Sequence, residues 1–209
     1  MKMKNPPEKI ASAPDRSAQG RLFIISAPSG TGKTTLCRAI RELFPELRYS
    51  VSYTTRPPRT GEQEGQDYFF ISANEFKNNI QRNTWAEWAR VHDHFYGTSA
   101  EFIDRHLSQG HDILLDIDVN GTRQILSRYP DSVTIFILPP TFKALEERLL
   151  KRGTDSAQTI IRRLKNAEME MAQKGMYKYI VINDRLTDAI NALTAIIRSE
   201  DGRVQGGQA

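Results

Sequence analysis

Residues 22–36 read LFIISAPSGTGKTTL, and this stretch decides how the rest of the chain is interpreted. Its first four residues are apolar, which predicts one short buried strand. Proline and two glycines then interrupt any regular element, and from Thr34 onward apolar residues recur at the spacing of one helix face. A strand, a glycine-rich loop and a helix in this order predict a phosphate-binding loop, because the loop N–H groups and the start of the helix converge on an anion.

The loop ends in the side chains that such sites use for phosphates. It follows the pattern G-x-x-x-x-G-K-S/T, except that Ala27 stands in place of the first glycine. Lys33 is predicted to reach the β- and γ-phosphates, and the Thr34 hydroxyl is predicted to bind Mg²⁺. The alternative, an ordinary glycine-rich turn, is disfavoured by the flanking strand and helix together with the Gly-Lys-Thr ending.

The composition bounds the class of protein. With 209 residues and a net charge of +4, the chain is long enough for one buried domain with insertions, and its positive charge suits an anionic ligand. No block of lysine or arginine stands out, so small phosphorylated ligands are expected rather than nucleic acid. No apolar run approaches the length of a membrane span, so no membrane association is expected. The single cysteine, Cys37, is expected to be a buried thiol on the first helix.

Strands that alternate with helices predict an α/β fold, with a parallel sheet of the P-loop NTPase type and helices on both faces. Residues 51–97 break this alternation, and they are predicted to form a small antiparallel insertion. Strands are predicted at 22–25, 48–52, 68–71, 85–91, 95–97, 112–118, 133–138 and 179–182. Helices are predicted at 34–44, 72–80, 98–109, 120–128, 142–151, 157–174 and 187–199, with capping boxes at Ser72 and Thr98.

The same signals divide the chain into parts. Residues 150–165 carry several arginines and lysines around Gly153, a pattern typical either of solvated helix faces or of a mobile lid over phosphates. The other parts are a core at 21–50, 98–149 and 166–199 and loose tails at 1–20 and 200–209. Since residues 1–20 contain no secretory signal, the protein is expected to be cytoplasmic.

Two carboxylates mark the end of the predicted strand 112–118. Asp116 and Asp118 are two residues apart, so on a strand both would project from the same face. They lie at the carboxyl end, where open α/β sheets bind ligands. A role for Asp116 toward Mg²⁺ or its waters fits this position better than the alternative of two solvated loop carboxylates.

A second group of candidates lies in the proline-stiffened loop after residue 54. Arg56 and Arg59 could grip a phosphate, and Tyr68 and Tyr96 could each donate a phenolic O–H to it. Taken alone, this loop would be better interpreted as a solvated basic segment, so its assignment depends on the rest of the chain.

Taken together, the motifs resemble the guanylate kinases, a family of P-loop nucleoside monophosphate kinases. The resemblance covers about residues 20–199. The motifs that carry it are, in order, APSGTGKTT, SVSYTTRPPRTGE, GQDYFF, EWA, YGT, LDIDVNG, KRGTD and VIND. The resemblance implies a P-loop core, a GMP-binding insertion and a lid. It also implies transfer of the γ-phosphate of ATP to GMP, giving ADP and GDP, with Mg²⁺ as cofactor.

The resemblance also assigns roles to individual residues. For ATP these are the loop residues Ala27, Pro28, Ser29, Gly30, Thr31, Gly32, Lys33 and Thr34, with Asn183 at the adenine. For the GMP phosphate they are Arg56, Arg59, Tyr68 and Tyr96. For guanine they are Ser52, Glu87, Thr98 and one of Asp116 and Asp118, with Asp118 preferred. The catalytic set is Lys33, Arg56, Arg152 and Arg163, and the Mg²⁺ ligands are Thr34 and Asp116, partly through water.

Three functions remain open from the sequence. The first is the kinase, with GMP and also dGMP as acceptors. The second is a non-catalytic interaction module, which the intact Lys33, Arg56, Arg59 and Asp116 disfavour. The third is a P-loop kinase for another phosphorylated acceptor, which the guanine-binding residues disfavour. The sequence does not predict an oligomeric state.

Overall fold

A computed structural model describes residues 19–91, 93–151, 153 and 155–200. The strands are β1 (Leu22–Ser26), β2 (Arg48–Tyr49), β3 (Tyr53–Thr54), β4 (Phe69–Phe70), β5 (Trp85–Val91), β6 (His94–Ser99), β7 (Ile113–Asp116), β8 (Val133–Leu138) and β9 (Tyr179–Ile182). The helices are α1 (Lys33–Leu43), α2 (Ala73–Gln81), α3 (Ala100–Ser108), α4 (Val119–Arg128), α5 (Phe142–Lys151), α6 (Ala157–Met171) and α7 (Leu186–Glu200).

The predicted parallel sheet is confirmed. Its five strands run in the order β2-β7-β1-β8-β9, and each neighbouring pair is parallel. Alternate side chains of the central strand β1 point to opposite faces. Phe23 and Ile25 belong to the core that α1 and α7 cover, whereas Leu22 and Ile24 belong to the core that α3 and α4 cover. Helices therefore flank both faces, as predicted.

The second sheet corrects one prediction. It comprises four strands in the order β4-β3-β6-β5 and spans residues 53–99, two residues beyond the predicted insertion. The pairs β3–β6 and β5–β6 are antiparallel, but β3 and β4 are parallel, so the sheet is mixed rather than antiparallel. The irregular segment between Thr54 and Phe69 is long enough to carry the chain back before β4 begins, and a parallel pair requires such a connection.

Most boundaries follow the predicted pattern, and the exceptions have local causes. Strands β5, β8 and β9 and helix α5 match their predicted limits. The capping serine of α2 is also confirmed, since Ser72 Oγ accepts from Glu75 N over 3.1 Å. The predicted cap at Thr98 is wrong, because β6 continues through Ser99 and the Ser99 Oγ accepts from Phe102 N over 3.2 Å. Adjacent threonine and serine made the position of this cap ambiguous by one residue.

The chain ends are described only in part. Residues 1–18 and 201–209, which make up most of the two predicted tails, lie outside the described residues. Within the rest, Gly20 N donates to Leu107 O over 3.0 Å, and Glu200 ends α7, where its Oε1 accepts from Lys178 Nζ over 2.6 Å. No helix in the described part of the chain is long and apolar enough to cross a membrane.

Candidate active site

The loop of residues 27–32 joins β1 to α1 at the carboxyl edge of the sheet. Gly30 and Gly32 have φ values of 92° and 96°, which favour glycine. A Cβ at Gly30 would lie 2.8 Å from Leu149 Cδ2, and one at Gly32 would lie 2.6 Å from Asn183 Nδ2. Both positions therefore need glycine for two reasons. Gly32 is also the N-cap of α1 and supplies no capping side chain, which leaves the first N–H groups of the helix to an anion.

The other loop residues stabilise this conformation. Thr31 is fully buried, and its hydroxyl donates to Pro28 O over 2.7 Å. Ala27, the departure from the glycine pattern, packs against the core that α1 covers, and Ser29 is exposed on the loop. Asn183, which follows β9, is buried and donates through Nδ2 to Thr31 O over 2.7 Å. The residue predicted to lie at the adenine therefore also holds the phosphate loop in place.

Lys33 and Asp116 form an ion pair beside this loop. Asp116 is the last residue of β7 and pairs in register with Ile25 of β1, which brings its carboxylate next to the start of α1. Burial alone would lower the pKa of Lys33, but the Asp116 carboxylate outweighs that effect and raises it, so the ammonium group stays charged. Lys33 Nζ also lies 3.4 Å from Ile117 O.

A cavity of about 470 Å³ lies next to this pair. Its walls include Thr34 and Asp116 from the core and Arg59, Glu62 and Tyr68 from the second sheet and its loop. The structure thus brings together the two predicted Mg²⁺ ligands and part of the predicted phosphate-binding group. Acidic and basic side chains from both parts of the chain face the same space.

The residues predicted to bind the GMP phosphate lie close together. The Arg56 guanidinium carbon lies 5.5 Å from the centre of the Tyr68 ring, and the Tyr68 and Tyr96 rings are edge to face with centres 5.9 Å apart. Arg59 is exposed and lies on the cavity wall with Tyr68. Arg56 is held by Glu62, whose carboxylate accepts from Nη2 over 2.7 and 2.9 Å. The sequence analysis did not single out Glu62.

A buried carboxylate lies on the second sheet. Glu87 in β5 is 7% exposed and faces Thr98 of β6 across the antiparallel pair, where Thr98 Oγ1 donates to Glu87 Oε1 over 2.6 Å. Burial raises the pKa of Glu87 to about 7. The hydrogen bond from Thr98 opposes this effect, and the nearby Asp118 charge adds to it. Ser52, the third predicted guanine residue, lies just before β3 and is half-buried.

Asp118 does not share a strand face with Asp116, which corrects another prediction. Strand β7 ends at Asp116, and Asp118 is the N-cap of α4, where its Oδ1 accepts from Gly121 N over 2.7 Å. Aspartate is a favoured N-cap residue, and because α4 begins directly after Asp118 the strand ends earlier than predicted. A Cβ at Gly121 would lie 2.9 Å from Glu87 Oε2 and 3.4 Å from Asp118 Oδ1. The sequence analysis missed Gly121, although a glycine inside a helix is itself a signal of close approach.

The lid candidates are described only in part. Arg152 lies outside the described residues. Arg163 in α6 is half-buried and pairs with Asp155, with 3.1 Å between Nη1 and Oδ2. Arg148 in α5, just before the predicted lid, donates from Nη2 to Asn183 O over 2.9 Å and so supports the residue behind the phosphate loop.

Comparison with known proteins decides the family. The family model described as guanylate kinase matches residues 19–200. The chain belongs to the guanylate kinase family. It is 48% identical over 185 residues to the guanylate kinase of Geobacter sulfurreducens, covering 88% of this chain and 91% of the relative. It is 42% identical over 190 residues to that of Thermotoga maritima, covering 91% and 92% of the two chains.

A solved structure agrees with this assignment. The crystal structure of guanylate kinase from Anaplasma phagocytophilum matches with a TM-score of 0.71 and 28% identity, and the match covers 90% of this chain and 89% of that one. The predicted family and the predicted fold are therefore confirmed. The chain is an enzyme of the kinase class, and the activity of the family is ATP-dependent phosphorylation of GMP.

Proposed function

We propose that the enzyme binds guanine with Glu87. The buried carboxylate of this residue is the observation that supports GMP as the phosphate acceptor. Guanine presents N1–H and the 2-amino group side by side, and an ionised carboxylate accepts both hydrogen bonds. Thr98 fixes one carboxylate oxygen, and the neighbouring Gly121 leaves space beside the other. Ser52 and Asp118 complete the proposed guanine site, with Asp118 beside Glu87 at the start of α4.

The GMP phosphate is assigned to the cluster of arginines and tyrosines. Arg56, Tyr68 and Tyr96 lie in mutual contact, and Arg59 lies on the wall of the cavity that Tyr68 also lines. Arginine suits a phosphate because its planar N–H donors match two phosphate oxygens at once. The cavity reaches Thr34 and Asp116, so a phosphate held here would face the ATP side of the cleft.

ATP is assigned to the loop of residues 27–34. The N–H groups of the loop and of the start of α1 surround the phosphates, and the charged Lys33 lies where it can reach the β- and γ-phosphates. Asn183 lies at the proposed adenine end, and Arg152 and Arg163 of the proposed lid at 150–165 approach the transferring group. The proposed insertion at 51–97 brings GMP toward the core at 21–50, 98–149 and 166–199.

Mg²⁺ fits the residues between the two sites. The Thr34 hydroxyl and the Asp116 carboxylate line one cavity, and such oxygen ligands, completed by water and phosphate oxygens, suit this cation. When bound, Mg²⁺ would neutralise charge on the phosphates. Asp116 would hold the cation partly through water, while its present partner Lys33 turns toward the phosphates.

The chemistry requires no general base from the protein. An oxygen of the GMP phosphate is largely deprotonated near neutral pH and attacks the γ-phosphorus directly, with ADP as the leaving group. The chain must therefore hold two anions in line, neutralise their charge and exclude water. Lys33, Arg56, Arg152 and Arg163 are proposed for this purpose.

A coupled assay of ADP release tests the proposal. We expect turnover with ATP and GMP and lower but measurable turnover with dGMP, since none of the proposed residues is assigned to the ribose 2′-hydroxyl. AMP, UMP and dTMP should be poor acceptors. Binding of GMP without turnover would favour the non-catalytic module, and a preference for another acceptor would contradict the role of Glu87.

A further inference from the structure

Glu62 makes an unusually complete set of contacts for a residue of an irregular loop. Its two carboxylate oxygens accept from Arg56 Nη2 over 2.7 and 2.9 Å. Its Oε2 also accepts from the backbone N–H of Arg59 over 2.8 Å, and its own N–H donates to Arg59 O over 3.0 Å. One carboxylate thus connects the two arginines that we assign to the GMP phosphate, and the side chains of Arg56 and Glu62 are only 11% and 19% exposed.

These contacts leave part of the Arg56 guanidinium for a ligand. A guanidinium has five N–H donors. Nη2 is directed at Glu62, and Nη1 gives one hydrogen to Pro57 O over 2.8 Å. Tyr96 also hydrogen-bonds to the Arg56 side chain, so one of the five N–H groups remains for another acceptor. A phosphate could therefore bind Arg56 while Glu62 keeps its place.

The backbone of Arg56 is fixed as well. Arg56 N donates to Thr54 Oγ1 over 3.1 Å, and Thr54 Oγ1 donates to Phe95 O over 3.0 Å, which ties the start of the loop to β6. Glu62 and Tyr68 contact the guanidinium, and Thr54 holds the backbone, so the long arginine side chain is fixed at both ends. If the side chain were mobile in the free enzyme, ordering it when GMP binds would lower the affinity for GMP.

We infer that Glu62 is a positioning residue for the phosphate of the acceptor: it orders Arg56 and the backbone at Arg59 before GMP binds. The inference rests on the proposed role of Arg56. The opposite role is that Glu62 substitutes for the phosphate and must be displaced by it. The two roles predict opposite changes in GMP affinity when the carboxylate is removed, because an ordering residue strengthens binding and a competing residue weakens it.

The experiment measures KM for GMP, KM for ATP and the inhibition constant of guanosine in Glu62→Ala and Glu62→Gln. We expect Glu62→Ala to raise KM for GMP about tenfold, which corresponds to losing the order of one long side chain. Glu62→Gln, which keeps one acceptor oxygen, should have a smaller effect of the same sign. KM for ATP and the guanosine constant should not change, because neither ligand uses this phosphate site.

Glu64→Gln is the matched control. Glu64 lies in the same loop and accepts from Phe70 N over 2.9 Å, an interaction that glutamine can also make. This variant removes the same charge without touching Arg56, so its KM for GMP should remain that of the wild type. Circular dichroism of all variants checks that they are folded. If Glu62→Ala does not fold, Glu62→Gln tests the inference in its place.

Arg56→Ala and the double variant Arg56→Ala/Glu62→Ala distinguish the proposed phosphate site from the positioning role of Glu62. If Arg56→Ala leaves KM for GMP unchanged, the proposed phosphate site is wrong. If it raises KM while Glu62→Ala leaves KM unchanged or lowers it, only the positioning role is overturned. If Glu62 acts through Arg56, Glu62→Ala should have a much smaller effect in the Arg56→Ala background than in the wild type. Equal effects in both backgrounds would also overturn the inference.

Discussion

Thr98 Oγ1 donates to Glu87 Oε1 over 2.6 Å, across the antiparallel pair of β5 and β6. Both residues are buried, and the bond fixes the direction in which the carboxylate faces. Because a hydroxyl has one hydrogen, Thr98 cannot donate to Glu87 and to guanine O6 at the same time. Thr98 is therefore better assigned to orienting Glu87, which leaves donation to O6 to Ser52 or to other groups.

The first prediction concerns Glu87→Gln. A glutamine amide can accept at one atom only, so its NH₂ group would oppose one of the two guanine donors. We expect kcat/KM for GMP to fall about 10²-fold, and the ratio of GMP to AMP efficiency to narrow, because AMP makes neither bond. Steady-state kinetics with both acceptors measure this. Wild-type efficiency with an unchanged ratio would remove Glu87 from the guanine site.

The second prediction concerns pH. Burial raises the pKa of Glu87 to about 7, so the protonated form prevails below that pH, and only the carboxylate accepts both guanine N–H groups. We expect KM for GMP to fall as the pH rises through 7 and then to level off. The GMP phosphate itself titrates near pH 6. Glu87→Gln controls for this, since it should retain only the phosphate titration. Identical profiles in the two proteins would contradict the prediction.

The third prediction concerns the glycine beside the carboxylate. In Gly121→Ala the new Cβ would lie 2.9 Å from Glu87 Oε2, so the carboxylate must move. We expect KM for GMP to rise about tenfold, the loss of one hydrogen bond to a charged group, while KM for ATP is unchanged. Thermal stability should hold, because alanine favours the helical backbone of α4 by about 1 kcal/mol over glycine.

Gly175→Ala is the control for this variant. A Cβ at Gly175 meets no atom within 4 Å, so this substitution should change neither KM nor selectivity. An increase in KM for both substrates of Gly121→Ala would instead indicate a general disturbance of α4.

The fold was predictable where its signals are local. The apolar run of β1, the glycines of the phosphate loop and the serine cap of α2 each depend on a few neighbouring residues, and all three are confirmed. The errors arise where local patterns compete or where distant segments meet. The sequence around Asp118 is compatible both with the end of a strand and with a helix N-cap, and the structure shows the N-cap.

The candidate site was predictable to the same extent. Residue types and motifs predicted a set of candidate side chains, several of which the structure brings together, but not how they contact one another. The contacts of Glu62 with Arg56 and of Gly121 with Glu87 depend on how a loop folds back and how a helix meets a strand. No periodicity in the sequence reports such contacts, because they join segments whose relative placement follows from the whole fold.

The fourth prediction concerns closure. Apart from Asp118 at the start of α4, the proposed GMP residues lie on the second sheet and its adjoining loops, and the proposed ATP residues lie on the core and lid. A cavity of about 470 Å³ lies between parts of the two sets. In-line transfer requires the phosphates to approach and water to leave. We expect the radius of gyration from small-angle scattering to fall when GMP and a non-hydrolysable ATP analogue are both bound. Either ligand alone should give a smaller change, and an unchanged radius with both at saturation would contradict closure.

The last prediction concerns Lys33→Ala. Lys33 is charged, pairs with Asp116 and lies at the start of α1. From there it can stabilise the negative charge that develops between the β- and γ-phosphates during transfer. Removing it should lower kcat about 10³-fold, the order found when a single preorganised charge-stabilising group is lost from a site. The fold should persist, because Asp116 keeps some contact with solvent, at 14% side-chain exposure.

Circular dichroism and steady-state rates test Lys33→Ala together. Lys77→Ala is the control, since it removes an equal charge from the exposed face of α2 and should leave kcat unchanged. Binding of GMP to Lys33→Ala should remain close to that of the wild type, because none of the proposed guanine and acceptor-phosphate contacts is made by Lys33. A folded Lys33→Ala with near-normal kcat would show that the loop cation is not used in the transfer.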